Sequence, residues 1–526
     1  MKRFRYSIPA ILVTCITLTL VIVGFRPPPP PPALVVVITV DQLRPDYLTR
    51  WESQWRGGLG GLLADGASFL NGLQDHAITE TAPGMATILS GREPAGTGIV
   101  INRLSVQDSS VTLIGIKGGR GASPHRFQGQ TLVDWMAAAD TGFRFLSVAT
   151  KDRSAILPVG RKKGPVYWYA SGEFTTSSYY ATELPAWLTA WNDRNAPKRL
   201  AGTRWTLLLP DTAYAEPDTA RYEKGGVDFT FPHLLPTDPE GVAQQLTDYP
   251  WMDSLALDVA LEGVRAMGLG KRSRPDLLNI SVSATDNIGH HWGPDSREIH
   301  DQLLRLDHWL GWFFDSLATL VPRDRILVAL TSDHGVTPFP EAARAQGRPG
   351  GRIPLGALVR EANLAIGRRG GDTTILWHSS GLIYGDTARL RRAGVSPESL
   401  ATNLAPRVWK LPGVADAWTP GTLGGASPRN VHAVRWWRAL PRGFSWLVCA
   451  VAQPGYIWME QTSETDHGTS NTDDVAVPVI LMGPTIRPGV YPDTVRTVDI
   501  APTLARLLDV KTRGKLNGRV IKRVVR

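Results

Sequence analysis

The chain predicts an α/β fold: a central, mostly parallel sheet with helices on both faces and inserted cap regions. Three observations carry this expectation. Apolar, β-branched runs recur along the sequence and are continuous rather than alternating, the pattern of strands buried on both faces. Helical patterns separate the runs, and repeated strand-then-helix order calls for a sheet covered on both sides. Three of the runs end close to an acid, at Asp41, Asp286 and Asp333, where open α/β sheets hold their ligands.

Composition sets the bounds. A chain of 526 residues, 43% apolar and 20% charged, is ordinary for a globular protein and leaves ample material for a large core. Length alone admits three or more domains of roughly 150 residues, although α/β enzymes often exceed that size. The 52 Gly and 40 Pro imply many loops, and the 18 Trp read as core rather than as an apolar substrate rim. Two cysteines, Cys15 and Cys449, exclude an internal disulfide framework. Part of the net charge of +9 sits at the two ends, and no nucleic-acid motif accompanies it, so no nucleic-acid partner is expected.

Taken in order, Lys2, Arg3 and Arg5 precede a mostly apolar run from Ser7 to Phe25. This is an export signal by pattern and is just long enough to span a bilayer. No A-x-A cleavage site follows, which favours an uncleaved anchor, basic end inside, over a cleaved peptide. Pro27 to Pro32 then form a stiff polyproline spacer. Residues 1–32 are thus expected to be a signal anchor or signal peptide plus spacer, with the body exported to the periplasmic or extracellular face and anchored by residues 7–25.

Ala33 to Val40 reads as the first buried strand and ends at Asp41. Residues 46–66 are partly helical, and 131–139 is a further helix. Arg144 to Thr150 is a strand that delivers Lys151, Asp152 and Arg153. Residues 160–250, rich in aromatics and prolines, read as a first inserted region. A helix over 251–267 leads to a strand over 276–284 and a long amphipathic helix over 295–320. The strand 325–330 runs into Asp333-His334-Gly335. Residues 340–460 read as a second insertion, followed by Asp466-His467-Gly468, a strand over 477–482 and a closing helix over 498–508. The catalytic body is therefore expected over 33–510. Residues 511–526, with no acid after Asp509, are expected to be a solvated basic tail.

Thr81 lies just before Pro83 and a short apolar run. Proline suits the first turn of a helix, so Thr81 reads as a residue at a helix N-terminus, where backbone N–H groups and the dipole favour an anion. A hydroxyl there is placed to attack phosphorus, or is simply an N-cap. Asp286 with His290, Asp333 with His334 and Asp466 with His467 weigh toward the first reading. Asp and His are ordinary Zn²⁺ ligands, and buried carboxylates need partners that cations supply.

Together these residues resemble the alkaline phosphatase superfamily, in its nucleotide pyrophosphatase/phosphodiesterase branch. Thr81-x-Pro83, Asn102, Asp286-x-x-Gly289-His290, Asp333-His334-Gly335 and Asp466-His467-Gly468 stand in that family's order over most of residues 33–510. The resemblance implies an alkaline-phosphatase-like fold and two Zn²⁺. Asp41, Thr81, Asp333 and His334 would bind one, and Asp286, His290 and His467 the other. It implies Thr81 as nucleophile, a phospho-threonine intermediate, and two metals clamping the attacking and leaving oxygens. Lys151-Asp152-Arg153 resembles the Lys-x-Arg pair of the Thr-nucleophile, phosphate-irrepressible alkaline phosphatases, which contacts nonbridging oxygens of a phosphate monoester. Asn102 would donate to a phosphoryl oxygen. Met85 departs from relatives that often carry His there, and local repacking is expected.

A zinc phosphomonoesterase acting on small phosphate esters is thus the expected function. A phosphodiesterase or nucleotide pyrophosphatase of the same fold is the alternative, and a non-catalytic membrane-tethered binding protein the distant one. A sulfatase fits poorly, because that branch uses Cys or Ser with Arg at +4, whereas Met85 is at +4 from Thr81.

Overall fold

The computed structural model describes residues 30–368 and 372–525. The N-terminal segment read as a signal anchor, 7–25, lies outside the described residues. Among the described residues no helix is long and apolar enough to cross a membrane.

A ten-stranded sheet forms the centre. Its main strands are β1 (Leu34–Val40), β2 (Ala67–Leu73), β3 (Phe145–Ala149), β4 (Val166–Ala170), β5 (Glu173–Thr175), β6 (Asp276–Val282), β7 (Ile326–Thr331) and β8 (Ala476–Met482). Across the sheet they run β2-β8-β7-β1-β6-β3-β4-β5. The central pairs β7–β1, β1–β6, β6–β3 and β3–β4 are parallel, whereas β8 is antiparallel to both its neighbours.

Alternation along β1 shows why its run is continuously apolar. Leu34, Val36, Ile38 and Val40 enter one core, which they share with the helices Trp251–Met267 and Arg297–Ala318. Val35 and Val37 enter another, shared with α1 (Thr81–Ile88) and the helices Leu132–Ala139 and Ile500–Leu507. A strand with a core on each side has no solvent face to make polar. Many large aromatics serve these cores; Trp135, Trp205 and Trp292 are fully buried in them.

Four expectations need correction. Residues 166–175 belong to the edge of the main sheet, so they are not part of an insertion. The strand over 276–284 stops at Val282, and Asp286 lies in the first turn of α2 (Ala284–Trp292). Glu80, not Thr81, is the N-cap residue of α1; Thr81 is its first helical residue. Residues 511–525 are not a solvated tail, because Ile521 and Val524 are buried in the second core. The segment is tied down by the Asn517 and Gly518 N–H groups, which donate to the Gly91 carbonyl, and by the Ile521 N–H, which donates to Thr503 Oγ1. Its scattered apolar residues were masked in the sequence by the basic ones between them.

Residues 351–457 carry a second, four-stranded sheet of Leu376–Ser379, Leu382–Gly385, Trp446–Ala452 and Val414–Trp418, with its own core against the helices Leu355–Gly367 and Pro397–Trp409. Its other face meets the main body through a fourth cluster that joins Ile78, Val100 and Ile101 to Leu382, Tyr384, Trp436 and Cys449.

Candidate active site

Strand register assembles the site. Thr39 of β1 lies opposite Thr331 of β7, and Asp41 and Asp333 each stand two residues further on. Neighbouring strands are about 4.8 Å apart, so equal offsets bring the two carboxylates side by side. On the other flank Val40 pairs with Val282, which carries the start of α2 with Asp286 and His290 to the same edge. Because β8 runs antiparallel to β7, its amino end lies at that edge too, and the preceding loop delivers His467.

Among the described residues, two groups of acidic and histidine side chains bring ligand atoms within 4.8 Å of one another: Asp286, His290 and His467, and Asp41, Asp333 and His334. The groups abut, with the His334 and His467 rings stacked at 3.7 Å between centroids. Each histidine has its Nδ1 fixed by a carbonyl, His334 by Gly335 at 3.0 Å, His467 by Thr79 at 2.6 Å and His290 by Thr465 at 2.8 Å. A carbonyl only accepts, so Nδ1 carries the proton. The Nε2 lone pairs are left to the site: His334 Nε2 is 3.3 Å from Asp41 Oδ1, and His467 and His290 Nε2 are 3.7 and 3.4 Å from Asp286 Oδ1.

This donor set fits divalent cations. Asp41 Oδ1 and Asp333 Oδ2 are buried with no hydrogen-bond partner. Burial and the Asp41 charge beside it hold the Asp333 carboxyl well above the usual range. A divalent cation between the two carboxylates would offset the cost of charging Asp333 there. Burial keeps His334 and His467 below the usual imidazole range, hence neutral, as ligands must be. Burial opposes a charge on His290 too, but the Asp286 carboxylate outweighs it and pushes the ring up to about 10, a proton that a metal would displace. Oxygen and imidazole donors suit Zn²⁺.

Thr81 is 1% exposed, and its Oγ1 lies 3.5 Å from His334 Nε2. Helix α1 approaches so closely that a Cβ on Gly84 would meet the Asp333 carbonyl oxygen at 2.2 Å, which accounts for the glycine after Pro83. Met85 is fully buried in the core. Asn102 Oδ1 accepts from the Ala82 N–H at 2.8 Å, leaving its Nδ2 as the donor of the amide. Lys151 Nζ is 2.7 Å from Asp41 Oδ2 and also donates to Asp286, at the junction of the two groups. Arg153 follows on the short helix Asp152–Ile156, with its Nε buried and unpartnered. The two donor groups, Thr81 and Lys151 thus meet at this edge of the sheet, Asn102 holds the first turn of α1, and Arg153 stands two residues after Lys151.

Sequence reasoning missed two residues. Gln42, with φ +65°, donates its backbone N–H to Asp333 Oδ1 at 3.3 Å and its Nε2 to Asp286 Oδ1 at 2.8 Å. Its position next to a strand-end acid is the one signal that pointed to it. Glu80 is 6% exposed and lines the open cleft of about 600 Å³ beside the histidines. The cleft's far wall comes from the second sheet and its flanks, with Arg360, Ser379, Ser380, Trp458 and Glu460.

Known proteins resemble this chain over most of its length. The family model for type I phosphodiesterase / nucleotide pyrophosphatase matches residues 35–348. Alkaline phosphatase PhoV of Synechococcus elongatus is 30% identical over 509 residues, 92% of this chain and 91% of that protein. Alkaline phosphatase PafA of Elizabethkingia meningoseptica is 28% identical over 518 residues, 93% of each. The crystal structure of wild-type alkaline phosphatase PafA matches with a TM-score of 0.88 and 28% identity over 94% of this chain and 99% of that one. The chain belongs to the type I phosphodiesterase / nucleotide pyrophosphatase family, within the alkaline phosphatase superfamily.

Proposed function

We propose that the chain is an exported, zinc-dependent phosphatase that hydrolyses phosphate monoesters. The observation that carries this reading is Thr81 Oγ1 at the first position of a buried helix, 3.5 Å from His334 Nε2, beside two oxygen–imidazole donor groups of which only His290 is partly exposed. Relatives named alkaline phosphatases support it.

Asp41, Thr81, Asp333 and His334 would hold one Zn²⁺, and Asp286, His290 and His467 the other. When bound, the pair supplies Lewis-acid charge at the attacking and leaving oxygens. Thr81 Oγ1 attacks phosphorus as the bond to the ester oxygen breaks, which leaves phospho-Thr81 and the free alcohol. Water then cleaves the Thr81–phosphate bond and frees inorganic phosphate. Asn102 Nδ2 donates to a nonbridging oxygen. Lys151 and Arg153 neutralise the extra negative charge that a monoester has and a diester lacks. The phosphodiesterase reading is supported by the family's description.

Metal analysis of the purified protein, paired with kcat/KM for an aryl phosphate and its methyl diester, tests the proposal. Zinc in both sites and a preference for the monoester are expected; a preference for the diester would transfer the chain to the phosphodiesterase reading. Fractionation of cells that express the full chain tests export and tethering by residues 7–25. Soluble protein with a trimmed N-terminus would replace the anchor by a cleaved signal.

A further inference from the structure

The Glu80 carboxylate is the meeting point of three segments far apart in sequence. Its Oε2 accepts from the Asn102 backbone N–H at 2.6 Å. Its Oε1 accepts from the hydroxyls of Ser379 and Ser380 at 2.7 and 2.6 Å. Ser379 ends a strand of the second sheet, and Ser380, with φ +48°, begins the tight turn into the next. The same turn presses on the loop that carries His467: a Cβ on Gly468 would meet Ser380 Oγ at 2.3 Å. Glu80 itself immediately precedes Thr81 and caps α1 by position, yet its side chain makes no capping bond to that helix. The capping contact to the Ala82 N–H comes from Asn102 Oδ1 instead.

A carboxylate at the wall of a phosphate site repels its substrate unless its charge is spent elsewhere. Here three donors converge on it, and hydrogen bonds to an ionised acceptor are the strong ones. Resting on the phosphoester-hydrolase reading of this site, we infer that Glu80 is a positioning residue. It locks the backbone of Asn102, so that Oδ1 stays on Ala82 and Nδ2 stays aimed at the phosphoryl oxygen. Through Ser379 and Ser380 it also fastens the second sheet to the nucleophile's helix. The second sheet is thereby part of the alignment of the phosphoryl contact, in addition to forming the cleft wall.

A double-mutant cycle tests this. Glu80→Gln removes the charge that strengthens all three hydrogen bonds, and it should lower kcat/KM by about tenfold. Ser379→Ala with Ser380→Ala removes two of the three donors and should cause a smaller loss of the same kind. In an Asn102→Ala background Glu80→Gln should cost nothing more, because both variants break one contact. Metal content should stay at the wild-type level. Hydrogen exchange at the Asn102 amide should quicken about tenfold in Glu80→Gln, a readout independent of turnover. Fully additive losses, loss of metal, or unchanged exchange at Asn102 would overturn the assignment. A wild type that prefers diesters would refute the monoester reading alone, since the cycle is then run on the diester.

Discussion

Gln42 Nε2 donates to Asp286 Oδ1 at 2.8 Å, while the backbone N–H of the same Gln42 reaches Asp333 Oδ1. One residue thus braces a carboxylate from each of the two donor groups. A Cβ on Gly289 would lie 1.8 Å from Gln42 Oε1, so the glycine of the Asp286-x-x-Gly289-His290 motif is the space that Gln42 occupies.

Gln42→Ala is therefore expected to weaken metal affinity by about 10- to 100-fold, the usual effect of losing a partner that orients a ligand. Gly289→Ala should act in the same direction by pushing Gln42 away. Competition of the purified variants against a zinc chelator checks both; wild-type affinity in both would show that Gln42 braces nothing.

His467→Ala should lower zinc content and turnover together, because its donor group has few spare members. Stripping the metal from wild type should also lower Tm, since Asp41 and Asp333 are then left as neighbouring buried acids. Elemental analysis beside activity and thermal melts reads all three. Unchanged zinc with lost activity would move His467 from ligand to another role.

Arg153→Ala should reduce kcat/KM for an aryl phosphate monoester by roughly 30- to 1000-fold, equivalent to about 2–4 kcal/mol of charge-assisted contact in the transition state. The matching methyl diester should suffer much less, because one of its oxygens is esterified. Thr81→Ala should abolish both reactions. Equal losses on both esters in Arg153→Ala would mean that Arg153 acts through folding or metal geometry.

Glu223 is 3% exposed, and burial, followed by the nearby Glu298 and Asp218, pushes its carboxyl up to about 10. The folded state then keeps a proton that the unfolded chain has already released. Between the unfolded value near 4.5 and the folded one, stability falls as pH rises, by about 1.4 kcal/mol per pH unit from this single proton. Glu223→Gln removes that slope. Denaturant melts at pH 5 and pH 9 should show the variant gaining on wild type at the higher pH, and parallel curves would exclude the effect.

The elements and the chemical inventory were legible in the amino-acid sequence. The helix Trp251–Met267 was readable to its last residue, and the buried strands β1, β6 and β7 to within two residues, because apolar periodicity is a local property. Thr81, the acids that follow the strands and the histidines near them announced themselves by type and spacing. Other features were decided by the tertiary structure alone. Strand direction is invisible in an apolar run, yet the antiparallel course of β8 is what brings His467 to the edge where Asp333 stands. The register of β1 on β7 sets Asp41 beside Asp333, and Gln42 meets Asp333 across 291 residues of chain. Glu80 looked like an unremarkable acid until Ser379 and Ser380 were folded onto it. The C-terminal segment looked solvated until Ile521 and Val524 found the second core. Burial preference is written into each residue's own chemistry, whereas register, strand direction and long-range hydrogen bonds exist only once distant segments pack together.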